Sequence, residues 1–402
     1  MKNLFFYTLL ILLVVSCTVK TNQNKNQESF LSVIDNALSS AEQQSLLMAE
    51  KYENQEGRLP RTYENGKDVS SDSRWWCSGF FPGSLWYLYV NTGNPEILKY
   101  AKMYTDRVER EKYTTDNHDV GFMLYCSFGN GLRLTGEERY KEVLLTGAGS
   151  LATRYKPSVG LIRSWDHNRE NWQYPVIIDN IMNLELLLWA SRHSGDTIFK
   201  EIAISHADKT IENHFRPDYS SYHVVSYDTV TGIPHKKQTH QGYSDQSAWS
   251  RGQAWGLYGY TYLYRETKDI RYLEQAKNIA GFLIDHPNMP DDYIPYWDYD
   301  TPEIPDTPRD ASAACIMASA LVELSGYVDE HLSEKYMNVV ETQIRTLASS
   351  EYTAEKGENG NFILMHSTGA YPLKSEIDVP MTYADYYYLE ALTRLKKQYD
   401  KK

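Results

Sequence analysis

Tyr174-Pro175-Val176-Ile177-Ile178-Asp179-Asn180-Ile181-Met182-Asn183-Leu184-Glu185-Leu186-Leu187-Leu188-Trp189-Ala190 is the stretch on which the fold turns. It reads as a helix that is apolar nearly all round, entered through a proline and closed by Ser194-Gly195. A helix of that kind is buried. Asp179 falls in its first turn, where free backbone N–H groups favour an anion. On position alone it serves equally well as an N-terminal cap. What decides between the two is whether other polar groups are placed in the same way along the chain.

The signature that closes this helix recurs. Thr92-Gly93-Asn94, Thr135-Gly136-Glu137, Ser194-Gly195-Asp196, Thr267-Lys268-Asp269 and Ser325-Gly326-Tyr327 each end one helical pattern and start another. Each reads as a left-handed C-terminal cap followed by a polar helix start. The helix before each turn is the more apolar: Phe80–Tyr89, Phe122–Leu134, Ile177–Ala190, Ala254–Tyr264 and Ala311–Leu324. The helix after it is more charged: Tyr100–Glu111, Glu138–Leu145, Phe199–Glu212, Tyr272–Leu283 and Leu332–Leu347. Adding Glu28–Tyr52 and Tyr383–Lys397 gives about twelve helices in two concentric layers. The expected fold is therefore all-α, an (α/α)6 barrel in one domain over residues 28–402. An open solenoid would leave the first and last helices without partners. Strand patterning is confined to Tyr222–Tyr227 and Ile233–Lys237, a hairpin around Thr231-Gly232.

The formal net charge of -12 argues against a nucleic-acid partner and against a basic membrane-surface helix. At the N-terminus, Lys2 followed by Leu4–Val15 is too short to span a bilayer and reads as a secretion signal over residues 1–16. Val14-Val15-Ser16-Cys17 resembles a bacterial lipobox, which makes Cys17 the expected lipidation site and residues 17–27 a polar tether. The expected location is the periplasm or cell envelope of a Gram-negative bacterium. The remaining Cys77, Cys126 and Cys315 have no disulfide or zinc spacing and are expected to be buried free thiols, so no metal or other cofactor is expected.

If the Gly turns lie at the C-terminal ends of the inner helices, the long loops and the inner N-termini share the opposite face. Trp75-Trp76 precede the first inner helix and Asn117-His118-Asp119 the second, while Asp179 opens the third. His240-Gln241 and Trp249-Ser250-Arg251 precede the fourth, Asp306 to Asp310 the fifth, and Asp385 opens the sixth. Carboxylates, imidazoles, one Arg and several Trp thus converge on one mouth, the form of a small-molecule pocket. Asp310 and Asp385 fit better as helix caps. Arg251, set among apolar and aromatic residues, requires an acidic partner from protein or ligand.

Three segments, Asn117–Phe122, Ile177–Leu184 and Ser247–Gly256, together resemble those of unsaturated glucuronyl hydrolases, glycoside hydrolase family 88. The resemblance runs from about Ser73 to the last helix; family 105, acting on unsaturated rhamnogalacturonides, is its near neighbour. It implies an (α/α)6 barrel that removes a 4,5-unsaturated uronic acid from the non-reducing end of an oligosaccharide left by a polysaccharide lyase. By that resemblance Asp179 matches the general acid/base and Asp119 the second essential carboxylate. His223, Gln241, Arg251, Trp75 or Trp76, Trp165, Trp249 and Trp255 match positions lining the sugar site, and His118 joins them as a substrate-binding candidate. Met365–Asp378 finds no match, which leaves the choice of glycan open.

The chemistry suits these residues. An unsaturated uronate is a vinyl ether, so protonation at C4 and water addition at C5 give a hemiketal that opens and expels the glycosidic oxygen. One carboxyl group that first donates and then accepts a proton is sufficient. It must stay protonated near neutrality, and Asp119 is expected to raise the pKa of Asp179 for that purpose. Arg251 is expected to pair with the carboxylate of the anionic substrate. Two rivals remain: a lipid-anchored glycan-binding protein without turnover, and a sugar epimerase, which would need paired histidine bases.

Overall fold

The computed structural model describes residues 30–400. The expected leader, Cys17 and the expected tether lie outside the described residues. In chain order the helices are α1 (30–53), α2 (Phe80–Thr92), α3 (Pro95–Asp106), α4 (Val120–Leu124), α5 (Asn130–Thr135) and α6 (Glu138–Ala152). They continue as α7 (Leu184–Ser194), α8 (Thr197–His214), α9 (Ser250–Thr267), α10 (Ile270–Ile284), α11 (Ala311–Leu324), α12 (Glu330–Leu347) and α13 (Thr382–Tyr399).

Adjacency closes the inner layer into a ring. α2 packs on α13, α13 on α11, α11 on α9, and α9 on the turn leading into α7; α4 packs on that turn and on α7, while α5 returns to α2. The outer layer follows the sequence pairs, with α3 against α2, α6 against α4, α8 against α7, α10 against α9 and α12 against α11. α1 completes the sixth pair with α13 across the ends of the chain, through Phe30 edge-on to Tyr399 and Lys396 bonded to Asp35. Composition explains the layering. Glu323 alone of the residues of α11 (ASAACIMASALVEL) is not buried, whereas α12 buries one stripe, Tyr336, Val339, Val340, Gln343, Ile344 and Leu347.

The inner helices are tied by ions near the C-terminal ends of α9 and α11. Arg265 bonds Glu185, Glu266 and Glu323, and Arg394 bonds Glu323 and Glu390. At the other end, two-stranded and three-stranded sheets decorate the mouth. They are β1 (Leu59–Glu64) with β2 (Lys67–Ser71), β3 (Tyr155–Lys156) with β4 (Leu161–Ile162), β5 (Pro175–Ile177) with β6 (Val224–Tyr227) and β7 (Pro234–Gln238), and β8 (Ser367–Ala370) with β9 (Ser375–Val379).

Gly93, Gly136, Gly195 and Lys268 are the left-handed caps that the repeat requires, with φ of 67°, 67°, 78° and 58°. The fifth turn differs: Ser325–Tyr327 is a 3-10 turn. The opening stretch differs too. Pro175–Ile177 is a strand whose Val176 and Ile177 pair with Val225 and Val224, and Ile178–Asn183 is 3-10 helix before α7 begins at Leu184. The β-branched run after a proline suits a buried strand as well as a helix, and pairing with β6 settles it. The second inner helix is interrupted by a π-turn at Tyr125–Gly129 between α4 and α5. The expected hairpin forms, with β5 added as its third strand. Cys77, Cys126 and Cys315 are buried and unpaired with one another.

Candidate active site

Asp119 stands immediately before α4, and Asp179 is the second residue of the 3-10 turn before α7. Ser164 lashes the two segments together. Its carbonyl accepts the His118 N–H at 3.0 Å, its N–H donates to the Pro175 carbonyl at 2.8 Å, and its hydroxyl accepts the Ile177 N–H at 3.0 Å. The two carboxylates therefore reach the mouth from separate inner helices but from one hydrogen-bonded frame.

Neither carboxylate is a cap. Asp179 is only 8% exposed, and its Oδ2 has no hydrogen-bond partner among the described residues. Asp385 is no cap either; it accepts the N–H groups of Ile363 and Leu364 at 3.0 and 2.9 Å and ties a loop to α13. Asp310 is a cap, on Ser312.

Burial raises both catalytic-site carboxyl groups, the Asp119 group to about 8, with the negative charge of Asp179 adding to the effect, and the Asp179 group to about 6. Arg251, the Asp179 backbone N–H and the nearby Trp255 indole hold Asp179 lower. The indole lies short of hydrogen-bond geometry, since Trp255 Nε1 has no partner. In the free protein the raised pair thus keeps one proton at neutrality. The coupling expected between them is present through the Asp179 charge acting on Asp119, while Arg251 favours the charged form of Asp179 and Arg154 that of Asp119.

His223 lies 3.7 Å from Asp179 through Nε2. Its Nδ1 accepts the backbone N–H groups of both His240 and Gln241, each at 3.1 Å. An imidazole whose Nδ1 is so occupied carries its proton on Nε2, facing the carboxylate. Burial, with the charges of His240 and Arg251, pushes its pKa well below the ordinary value, so it is a neutral donor. His118 is buried beside Asp119, at 3.4 Å, and burial lowers it to about 3.

Arg251 does not wait for a ligand. Its guanidinium donates to Asp310 at 3.0 Å, to the Thr368 carbonyl at 2.6 Å and to the Gly369 carbonyl at 2.5 Å, with both ionic partners buried. These bonds make it a strut that pins the β8–β9 hairpin to the mouth, while its Nε is buried without a partner among the described residues. Gln241 supports the same hairpin by donating from Nε2 to the Gly369 carbonyl at 3.2 Å.

Aromatic side chains make the walls. Trp165 stacks on His167 at 5.2 Å and meets Trp172 edge-on, with His240 beside both. Trp249 lies against His223 at 4.5 Å and under the Arg251 guanidinium at 4.6 Å. Trp75 is covered by Arg61 at 3.7 Å, and Arg61 in turn pairs with Glu376 of β9 at 2.6 Å. Trp76 packs between Phe122 and Tyr383 at the edge of the floor. Trp255 is fully buried between Phe122 and Tyr387, with its indole beside Asp179, and forms the floor of the site.

Ser164, Asn183 and Trp172 were not expected at the site, and Asp310 was expected there only as a helix cap. Asn183 lies within Tyr174–Ala190; Ser164 and Trp172 carry no local signal, because their partners lie elsewhere in the chain. A cavity of ≈ 600 Å³ lies at the other end of the lumen, lined among others by Arg133, Glu185, Trp189, Arg265, Glu390 and Arg394, away from Asp119 and Asp179. Among the described residues no cluster of three or more His, Cys, Asp or Glu is arranged to hold a metal.

A buried pair broken on one side leaves an uncompensated charge, so Arg251→Met should cost about 3–5 kcal/mol of stability. Chemical denaturation checks this, and a variant that keeps wild-type stability while only KM rises would return Arg251 to direct substrate binding.

Residues 51–398 match the family described as Glycosyl Hydrolase Family 88. An unsaturated glucuronyl hydrolase of Formosa agariphila is 43% identical over 400 residues, covering 98% of this chain and 98% of that protein. Among solved structures, an unsaturated glucuronyl hydrolase specific for heparin is 47% identical with a TM-score of 0.89, covering 92% of this chain and 98% of that one. The unsaturated glucuronyl hydrolase of Bacillus sp. GL1, responsible for the degradation of glycosaminoglycan, is 29% identical with a TM-score of 0.83, covering 91% and 97%. With its barrel, its paired carboxylates and these likenesses, the chain belongs to Glycosyl Hydrolase Family 88.

Proposed function

We propose that the protein removes a 4,5-unsaturated uronic acid from the non-reducing end of lyase-generated, glycosaminoglycan-type oligosaccharides by hydrating the C4=C5 vinyl ether. The observation that carries this is a carboxyl pair that shares one proton at neutral pH beside a neutral imidazole N–H, inside aromatic walls. The relatives support the substrate class: they are unsaturated glucuronyl hydrolases, and a mutant of the Streptococcus agalactiae enzyme has been solved with dGlcA-GalNAc6S.

In this reading Asp179 delivers the proton. Binding an anionic sugar expels water and adds negative charge, and both raise the Asp179 pKa, moving the shared proton onto it. Protonation at C4 leaves an oxocarbenium ion at C5. The Asp179 carboxylate then takes a proton from the water that adds there, which regenerates the acid. Asp119 holds the pair's charge at one and binds a sugar hydroxyl. The Nε2–H of His223 donates toward the reacting ring, while Trp165, Trp249, Trp75 and Trp76 offer apolar faces to the sugars. His118 stays neutral beside Asp119, and Gln241 and Arg251 act through the hairpin they hold. A lipid anchor at Cys17 would place this chemistry at the cell envelope; the lipobox pattern supports that reading.

Asp179→Asn should abolish the loss of ultraviolet absorbance that accompanies turnover, while the fold and substrate binding survive. With the wild type in heavy-oxygen water the label should enter at C5; turnover by the variant, or label at C1, would refute the assignment. Because a proton must remain on the pair, kcat/KM should fall as pH rises through about 8. A profile flat to pH 9.5 would contradict the coupling. For the anchor, Cys17→Ser should move the full-length protein from the membrane fraction to the soluble fraction; an unchanged distribution would rule lipidation out.

A further inference from the structure

A helix whose first residue follows an aspartate is ordinarily capped by that aspartate, through the N–H of its second or third residue. α4 breaks this rule. Asp119 occupies the cap position and makes no side-chain cap bond. The N–H of the third residue, Phe122, is instead taken by Asn183 Oδ1 at 2.8 Å. Asn183 lies on another element, at the end of the 3-10 turn that carries Asp179, and it is fully buried.

Gly121 makes the reach possible. A Cβ there would stand 2.6 Å from Asn183 Cα and 2.7 Å from its Oδ1, so the two segments touch backbone to backbone. The other end of the amide, Nδ2, is buried without a partner among the described residues. Leaving a buried donor unmet is costly, and for packing alone an apolar side chain of similar size would be the better choice. The acceptor is what this position requires.

We propose that Asn183 is a positioning residue that caps α4 in place of Asp119, and so leaves the Asp119 carboxylate free to face Asp179 across the mouth. The proposal rests on the reading that this carboxyl pair performs the chemistry. Without the borrowed cap, the Phe122 N–H would be an open donor, which Asp119 would meet by turning from its φ of -75° and ψ of 7° to the extended conformation of a capping residue. Turning to it would give that carboxylate a hydrogen bond that favours its charged form. The groups around Asp119 are His118, Arg154 and Asp179, and those around Asp179 are Arg251 and His223. None of them is altered by changing Asn183.

The test is a pH titration of 13C-labelled aspartate carboxyl groups by NMR on the full-length protein without sugar, with Asp119→Asn and Asp179→Asn spectra for assignment. In Asn183→Leu, which keeps the volume and loses the acceptor, the Asp119 midpoint should fall by about 1 pH unit or more, carrying the upper limb of kcat/KM down with it. A folded Asn183→Leu whose Asp119 titrates as in the wild type would overturn the proposal, because a merely structural role lowers Tm without moving that midpoint. Asn183→Asp keeps an acceptor for Phe122 and adds a negative charge, so its Asp119 midpoint should stay or rise; a fall would overturn the proposal even if the leucine variant does not fold. The titration needs no turnover. It therefore stands or falls separately from the hydrolase reading, which the Asp179→Asn assay decides.

Discussion

Two carboxyl groups taken out of water within each other's field cannot both ionise at neutral pH, and the mouth of this barrel is arranged around that constraint. Burial alone raises both groups, and the charge of one raises the other. What distinguishes them is the company each keeps. Asp179 has the Arg251 charge and its own backbone N–H nearby, while Asp119 has the Arg154 charge. The outcome is a single shared proton that a bound anion can redistribute, which acid–base chemistry on a vinyl ether requires.

The barrel supplies the constraint by geometry. Apolar inner helices bring their N-termini to one face, and the first helical turns and the loops just before them deliver the reactive groups there. Ser164 binds the Asp119 segment and the Asp179 segment within three hydrogen bonds, and Asn183 binds them again one turn below. At the opposite end the lattice of Arg265, Arg394 and their glutamates locks the inner helices, so the mouth groups move on a rigid base. Between the two ends, Phe122, Trp255 and Tyr387 form an aromatic floor that keeps the carboxyl pair apart from the polar lumen below.

Arg251 shows how the same residue serves structure and electrostatics together. Its hydrogen bonds go to Asp310 and to the β8 carbonyls, so the pair is nearly neutral and the hairpin is held in place. The remaining field still reaches Asp179. An arginine exposed to the mouth would have attracted an anionic sugar more strongly, but it would also have lowered the Asp179 pKa further. The neutral Nε2–H of His223, fixed by two backbone donors, gives a dipole where a second cation would have had the same drawback.

The sequence by itself determined the layers and the face. Helical periodicity, all-apolar inner helices and recurring C-terminal caps are local properties, and they are enough to place Asp119, Asp179, Trp249 and Arg251 around one mouth; His223 joins them only through the family resemblance. Local pattern also limits what can be read. A proline followed by Val-Ile-Ile is compatible with helix and strand, and only the partner strand Val224–Tyr227 chooses. Whether Asp119 or Asp385 caps its own helix depends on donors that arrive from elsewhere, as Asn183 and the Ile363–Leu364 backbone show. The same holds for which carboxylate keeps the proton and what Arg251 holds. Hydrogen-bond satisfaction and electrostatic fields are sums over neighbours in space, and those neighbours lie up to 118 residues away along the chain.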